Sequence, residues 1–404
     1  MTTTPAAPLP DIGVDAVKTT AGSTLILSSA WALGIGGTTM MPLLVTNTMA
    51  RLHFDEGQAT LMTGVEMIGM LAGCILLPPM ARRWPARCTA VALVLLALCQ
   101  MLTALTLSTP LFGALRLVVG VCEAQMIVMV GICLACHRDA ERLWGVVLLL
   151  SGLAVAGVFT LVSLLPDVAA GDGVWIGLAL LAAVLGVAAV RTPALVPLRA
   201  PPPTPMEPME PGIGRRRVGA GVWLAWGVFV GVYSVQAGVW AVSALQGERI
   251  GLSLPTIGTL LAVSSLLGFF GAVVPAIPAL AARRGLTVMG ALLVMFASVA
   301  RFFTADGVVL FFAGQLMLNM AFYAIMAVLN SFISAQDRDG SLLSQSVVVT
   351  FAAVAVGTVG AGELFQNAGG VGVIVFSLLA LAVSVPLGLK ALRGPGRVSA
   401  SPAL

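Results

Sequence analysis

From Thr19 to Ala50 the chain carries no Asp, Glu, Lys, Arg or His, and the same holds from Val218 to Gly247, Gly251 to Ala282, Gly307 to Gln336 and Leu364 to Leu389. Runs of this length decide the fold class. The hydrocarbon core of a bilayer takes roughly 20 apolar residues per helix. No water reaches the backbone there, so a crossing segment must be a helix or a strand of a closed barrel. Barrel strands are roughly 10 residues long and alternate apolar with polar side chains. Val91–Leu98 and Ile374–Val383 do not alternate, so the runs read as helices. Only 9% of the residues are charged and 59% are hydrophobic, against about 25% charged in a soluble domain. The expected fold class is an all-α integral membrane protein.

Hydrophobic periodicity and length place about twelve transmembrane helices near 24–47, 58–79, 88–107, 111–135, 144–165, 173–190, 220–244, 256–280, 286–304, 308–334, 342–363 and 370–390. The first is longer than the core of a signal peptide and lacks a small-residue cleavage site after it, so it reads as a span. With the N-terminus in the cytoplasm, seventeen of the 21 Lys and Arg residues fall in inner segments. Only Arg51, Arg249 and Arg301 fall outside, and Arg116 lies within a span. Inner loops carry the excess of Lys and Arg, so both termini are expected in the cytoplasm of a bacterial inner membrane. The sequence pI of about 8.9 then reports topology and not nucleic-acid binding.

The six cysteines, at 74, 88, 99, 122, 133 and 136, lie between span two and the inner end of span four. None is in an expected outer loop, so no disulfide framework is implied. Cys133-Leu-Ala-Cys136-His137 has the spacing of c-type haem attachment. That chemistry takes place on the outer side, whereas the charge bias places this segment inside, so it reads as a helix end entering a loop. No cofactor or metal is expected.

Residues 191–217 contain eight prolines and end in Arg215-Arg216-Arg217. Such a stretch is extended and packs poorly. It reads as a cytoplasmic linker between a six-helix bundle at 1–190 and another at 218–404. The halves resemble each other at an offset of about 200 residues: Pro78 to Arg83 aligns with Pro278 to Arg283, His137-Arg138-Asp139 with Asp337-Arg338-Asp339, and Gly157 with Gly357. The expectation is two pseudo-symmetric six-helix bundles around a central cavity.

The basic loops after spans two and eight look like the Gly-x-Leu-x-Asp-Arg-x-Gly-Arg-Arg signature of the major facilitator superfamily. Arg83, Arg87, Arg283 and Gly285 fit it, while Pro78, Arg82, Pro85 and Ala282 depart from it. Phe112, Arg116 and Gly120 resemble the family's span-four signature. Gly34-Ile35-Gly36 with Pro42-Leu43 in span one, and Arg116, Gly120 and Glu123 in span four, are similar to patterns in uncharacterised bacterial members. The resemblance implies parallel six-helix repeats and alternating-access transport. Two subclasses lack support. Gly152–Leu164 has no proline where the family's antiporters carry Gly-Pro, and span one has no acid where aromatic-acid importers carry an acidic motif.

Ionisable residues within a bilayer are costly unless paired or wetted, which makes each a functional candidate. Glu66 in span two and Arg116 and Glu123 in span four are the clear cases. Arg116 and Glu123 are seven residues apart, so they share a helix face about 10 Å apart along the axis. Glu66 and Arg116 lie at similar depth. Two readings stand side by side. In one, Arg116 attracts an anionic substrate group and Glu123 takes up and releases a proton. In the other, Glu66 and Arg116 are a fixed brace and Glu123 is capped by its neighbours. Gln315, Asn319, Tyr323 and Asn330 in span ten fall within roughly 80° of one another, a face expected to line a cavity or bond a neighbouring helix. Tyr233, Gln236 and Trp240 in span seven form a second stripe, which Trp226 continues unless it is an interfacial anchor. Aromatic faces, amides and one Arg suit a small amphipathic or aromatic molecule, a carboxylate among them. Pro42 and the glycines at 34, 36 and 37 would let span one bend or approach a neighbour closely, or would only ease its packing. Arg82, Arg83, Arg87, Asp139, Arg142, Arg283, Arg338 and Asp339 are the expected gating-loop charges.

The leading function is a secondary active transporter of a small organic solute, expected to act as a monomer with H+ as coupling ion. No Gly-x-x-x-x-Gly-Lys-Ser/Thr loop occurs, so direct ATP use has no support. A transporter-like sensor or scaffold that binds without moving solute is the alternative. A membrane enzyme is disfavoured: the two histidines, His53 and His137, are placed on opposite sides of the membrane and no nucleophile or metal constellation accompanies them.

Overall fold

The computed structural model describes residues 21–135, 140–191, 218–281, 283–337 and 341–392. The described residues form helices and no strand. Nine of the helices are long and apolar enough to cross a membrane: Glu56–Leu76, Pro85–Leu105, Thr109–Leu134, Arg142–Ser163, Ala220–Ala241, Leu254–Val274, Arg284–Phe303, Val308–Ser334 and Ser341–Leu392. The last covers both of the segments expected at 342–363 and 370–390, which are separated only at Gly369 by a φ of 60°. A positive φ of this kind is free for glycine alone. The sixth expected span is a shorter helix, Gly173–Arg191.

Span one, expected at 24–47, is three consecutive helices: Ala21–Gly34, Gly36–Thr39 and Met41–Leu52. The breaks fall at Ile35 and Met40, just ahead of Pro42. The bend expected from Pro42 and the glycines is therefore present. Asn47 fastens the C-terminal part of this span to the start of span six and the short helix before it. Its Nδ2 donates to the carbonyls of Ala169 and Gly171, and its Oδ1 accepts from the Trp175 indole at 2.7 Å.

Spans two and four run in very close contact. A Cβ at Gly120 would collide with the Glu66 carbonyl, and one at Gly69 with the Leu117 carbonyl. Small residues let helix backbones approach in this way, and the approach sets Glu66 beside Arg116 and Glu123. Residues at the 200 offset also occupy matching places. Met80, Val91 and Val121 line a crevice of about 350 Å³ between spans two, three and four, and Leu280, Ala291 and Ala321 line one of about 420 Å³ between spans eight, nine and ten.

Hydrogen bonds and an ion pair join the halves at mid-span and at one end. Arg249 pairs with Glu56 at 3.0 Å. The Gly57 amide donates to Gln366 Oε1 at 3.0 Å, and Thr358 Oγ1 contacts Met41 Sδ at 3.5 Å. Gly258 packs on Ser163 and Gly362 on Thr60, again across the halves. This is the end that the charge bias assigns to the outside.

Candidate functional site

Arg116 is a single cation in an apolar helix, and it is 1% exposed. It does not face the other half of the protein. One guanidinium nitrogen, Nη2, donates to Gln100 Oε1 at 2.9 Å and to Thr103 Oγ1 at 2.8 Å, both in span three. The other, Nη1, stands 3.6 Å from Glu66 Oε2. The guanidinium lies over the Trp175 ring, 4.6 Å from its centre, and 5.7 Å from that of Phe112. The pairing of Glu66 with Arg116 expected from their common depth is thus present. Only Nη2 is hydrogen-bonded among the described residues, while Nε and Nη1 are enclosed without an acceptor in bonding range, Nη1 lying nearest Glu66.

Glu66 and Glu123 are 1% and 3% exposed. Their carboxyl groups converge on the same point of span one, the place that a Cβ would take at Gly37. Glu123 Oε1 accepts the Gly37 amide proton at 3.0 Å. The meeting point is the short central piece of span one. A Cβ at Gly37 would collide with Glu66 Oε1 and stand 2.8 Å from Glu123 Oε2. No donor from the protein reaches Glu66 Oε1 or Glu123 Oε2 among the described residues. Ionised carboxylates only accept, so two of them are joined by a proton or repel.

The second constellation lies across spans seven and ten. Gln236 Nε2 donates to Asn319 Oδ1 at 2.8 Å. Among the described residues, that bond leaves Gln236 Oε1 and Asn319 Nδ2 enclosed without partners, as is the whole Gln315 amide. Tyr323 stacks on Phe269 with ring centres 4.4 Å apart, and Tyr233 sits edge-on to Phe322 at 5.1 Å. Trp240 leans on Phe159 of the other half, centres 6.0 Å apart. Its indole N–H donates to the Thr38 and Thr39 carbonyls at 3.1 and 3.2 Å. Asn330, on the same stripe by periodicity, is exposed. Trp226 is not an interfacial anchor: it is buried and donates to Ser346 Oγ at 2.8 Å, while its neighbour Trp223 carries the exposed ring.

Arg82, Arg83, Arg87, Arg142 and Arg283 are exposed. Arg83 lies over the Trp84 ring at 4.6 Å. Asp139, Arg338 and Asp339 fall outside the described residues. Sequence reasoning missed Gln100, Thr103 and Asn47. The signal for Gln100 and Asn47 was available, because an amide deep in an apolar span needs a partner.

Two related helical halves, with a broken first span against a buried charge cluster, correspond to a major facilitator-type fold. Solved structures bear this out. A point mutant of the nucleoside transporter NupG matches with a TM-score of 0.71 at 12% identity, over 92% of this chain and 98% of that one. A bacterial homologue of the human lysosomal transporter Spinster, inward-facing and occupied, gives 0.68 at 13%, over 91% and 96%. The inward-open xylose transporter XylE from E. coli gives 0.67 at 14%, over 90% and 94%. No family model matches the sequence. No curated protein sequence matches it.

Proposed function

We propose that this chain is a secondary transporter of a small, amphipathic or aromatic organic solute, driven by protons through Glu66 and Glu123. The observation that carries the coupling is the meeting of two enclosed carboxyl groups and one guanidinium. Fully ionised, the trio has a net charge of −1, and one bound proton brings it to zero. An uncompensated charge in an apolar interior is costly, so the trio has reason to load a proton before it is enclosed. Release needs water on one face, which alternating access provides. The xylose–proton symporter among the similar structures shows that the fold supports such coupling in another chain.

The solute reading rests on the tyrosines, Trp240 and the amides of spans seven and ten. Arg116 supports a carboxylate-binding role less well than a charge-balancing one, because Nη2 is held by span three and Nη1 lies beside Glu66. We read the structure as a carrier open to the cytoplasm, a reading supported by the contacts at the Glu56 end and by the charge bias.

The test starts from a solute found by thermal stabilisation of the purified protein, since a ligand of the folded state raises its stability. In proteoliposomes, Glu123→Gln should stop accumulation driven by a proton gradient and retain solute exchange. Wild-type accumulation by that variant would refute the coupling. Binding without gradient-driven uptake in the parent protein would favour a sensor.

A further inference from the structure

Span one is broken where it touches both the carboxyl pair and the other half of the protein. In an unbroken helix the Thr38 carbonyl would accept from residue 42, but that residue is Pro42, which has no N–H. The Thr39 carbonyl would accept from Leu43, whose N–H instead bonds to the Met40 carbonyl at 3.0 Å. Two backbone acceptors are therefore stranded in mid-membrane, where a lone acceptor costs several kcal/mol. Trp240, at the end of Ala220–Ala241 in the other half, donates to both. One and two residues earlier in the chain, Gly37 donates its N–H to Glu123. A Cβ at Gly36 would stand 3.3 Å from Glu123 Oε1, so the whole piece lies against the carboxyl group.

We propose that Trp240 is a positioning residue that reads the state of the Glu66–Glu123 pair through the Gly36–Thr39 piece and relays it to span seven. This rests on the proton-site reading above. A hydrogen bond to a charged acceptor is roughly twice as strong as one to a neutral acceptor. Proton uptake at Glu123 therefore weakens the Gly37 bond and frees the short piece to turn. Its other ends are held by Trp240, so the turn pulls on the helix that also carries Tyr233 and Gln236. The charged groups that face Glu123 are Glu66 on span two and Arg116 on span four, and the Cys122 thiol is its neighbour in the chain.

Hydrogen–deuterium exchange of the purified full chain tests this without knowledge of the solute. Glu123→Gln mimics the protonated group at constant pH. It should raise exchange about twofold or more in two places: peptides covering residues 35–44, and peptides covering 236–246 in the other half. In a Trp240→Phe background the first response should persist and the second should vanish. Trp240→His, which keeps a ring N–H, should restore the second at least in part and guards against a simple packing defect. A response at 236–246 that survives Trp240→Phe overturns the relay and leaves the proton site standing. No response at 35–44 to Glu123→Gln overturns the proton-site reading itself.

Discussion

At the scale of the residue, the charge trio is where the two readings of Arg116 part. If the guanidinium mainly balances Glu66, removing it strands a buried carboxylate, and breaking a buried pair costs about 3–5 kcal/mol. Arg116→Ala should then lower the apparent melting temperature strongly. Adding Glu66→Ala should recover much of the loss, as measured by thermal unfolding in detergent. If the double variant also regains transport, Arg116 has no direct contact with the solute. Gly37 gives a sharper prediction. Any side chain there drives into two carboxyl groups, so Gly37→Ala should abolish proton-driven accumulation in the vesicle assay, while Gly131→Ala, which meets nothing within 4 Å, should leave it unchanged. Glu66, Arg116 and Glu123 were legible in the sequence because charge in an apolar span is conspicuous. Gly37 was legible only as a point of flexibility. Its place against two carboxyl groups depends on how spans one, two and four pack, which periodicity does not encode.

At the scale of the element, span one is the piece whose local chemistry and task meet. Pro42 removes a backbone donor, and the chain answers with breaks at Ile35 and Met40 and an indole borrowed from the other half. Pro42→Ala restores an N–H that can bond the Thr38 carbonyl and let the helix close on itself. The expected result is slower exchange across residues 36–44 and reduced accumulation, with the protein folded. Unchanged exchange would mean that packing against Glu123, and not the missing donor, breaks the helix. The sequence offered a bend, a close approach or easier packing for this span and did not show where a break would fall, because Ile35 and Met40 are ordinary residues. Span ten was readable end to end, since Gly307 and Gln336 bracket a charge-free run. The boundary between the last two spans was less distinct. Gly369 and Gly370 mark it, yet only the φ at Gly369 interrupts an otherwise continuous helix. Trp226 was ambiguous for a plain reason: a tryptophan near a membrane surface can face lipid or a helix, and Ser346 as its partner is a tertiary fact.

At the scale of the whole molecule, the offset of about 200 residues foretold two related halves, and the crevices lined by Met80 and Leu280 occupy matching places in them. Which end is closed was not legible, because it depends on small surface contacts such as Arg249 with Glu56. That pair is partly exposed, with side chains 42% and 23% accessible. Exposed pairs contribute only about 0.2–1 kcal/mol, too little to fold the protein but enough to shift two nearly balanced states. Arg249 also lies over Phe365, 3.7 Å from its ring centre, so the charge has a platform as well as a partner. A thiol introduced by Thr60→Cys reports opening, because Thr60 is enclosed against Gly362 in this state. Glu56→Gln should raise its rate of labelling by a membrane-impermeant reagent about two- to fivefold, the range that such a pair allows. The charge swap of Glu56→Arg with Arg249→Glu should bring the rate back toward the parent. Labelling should occur only from outside right-side-out vesicles, since the closed end is the one with few basic residues. An unchanged rate in Glu56→Gln would show that the ion pair does not hold this end shut. Labelling only from the cytoplasmic side would reverse the orientation, and the structure would then correspond to a carrier facing outward.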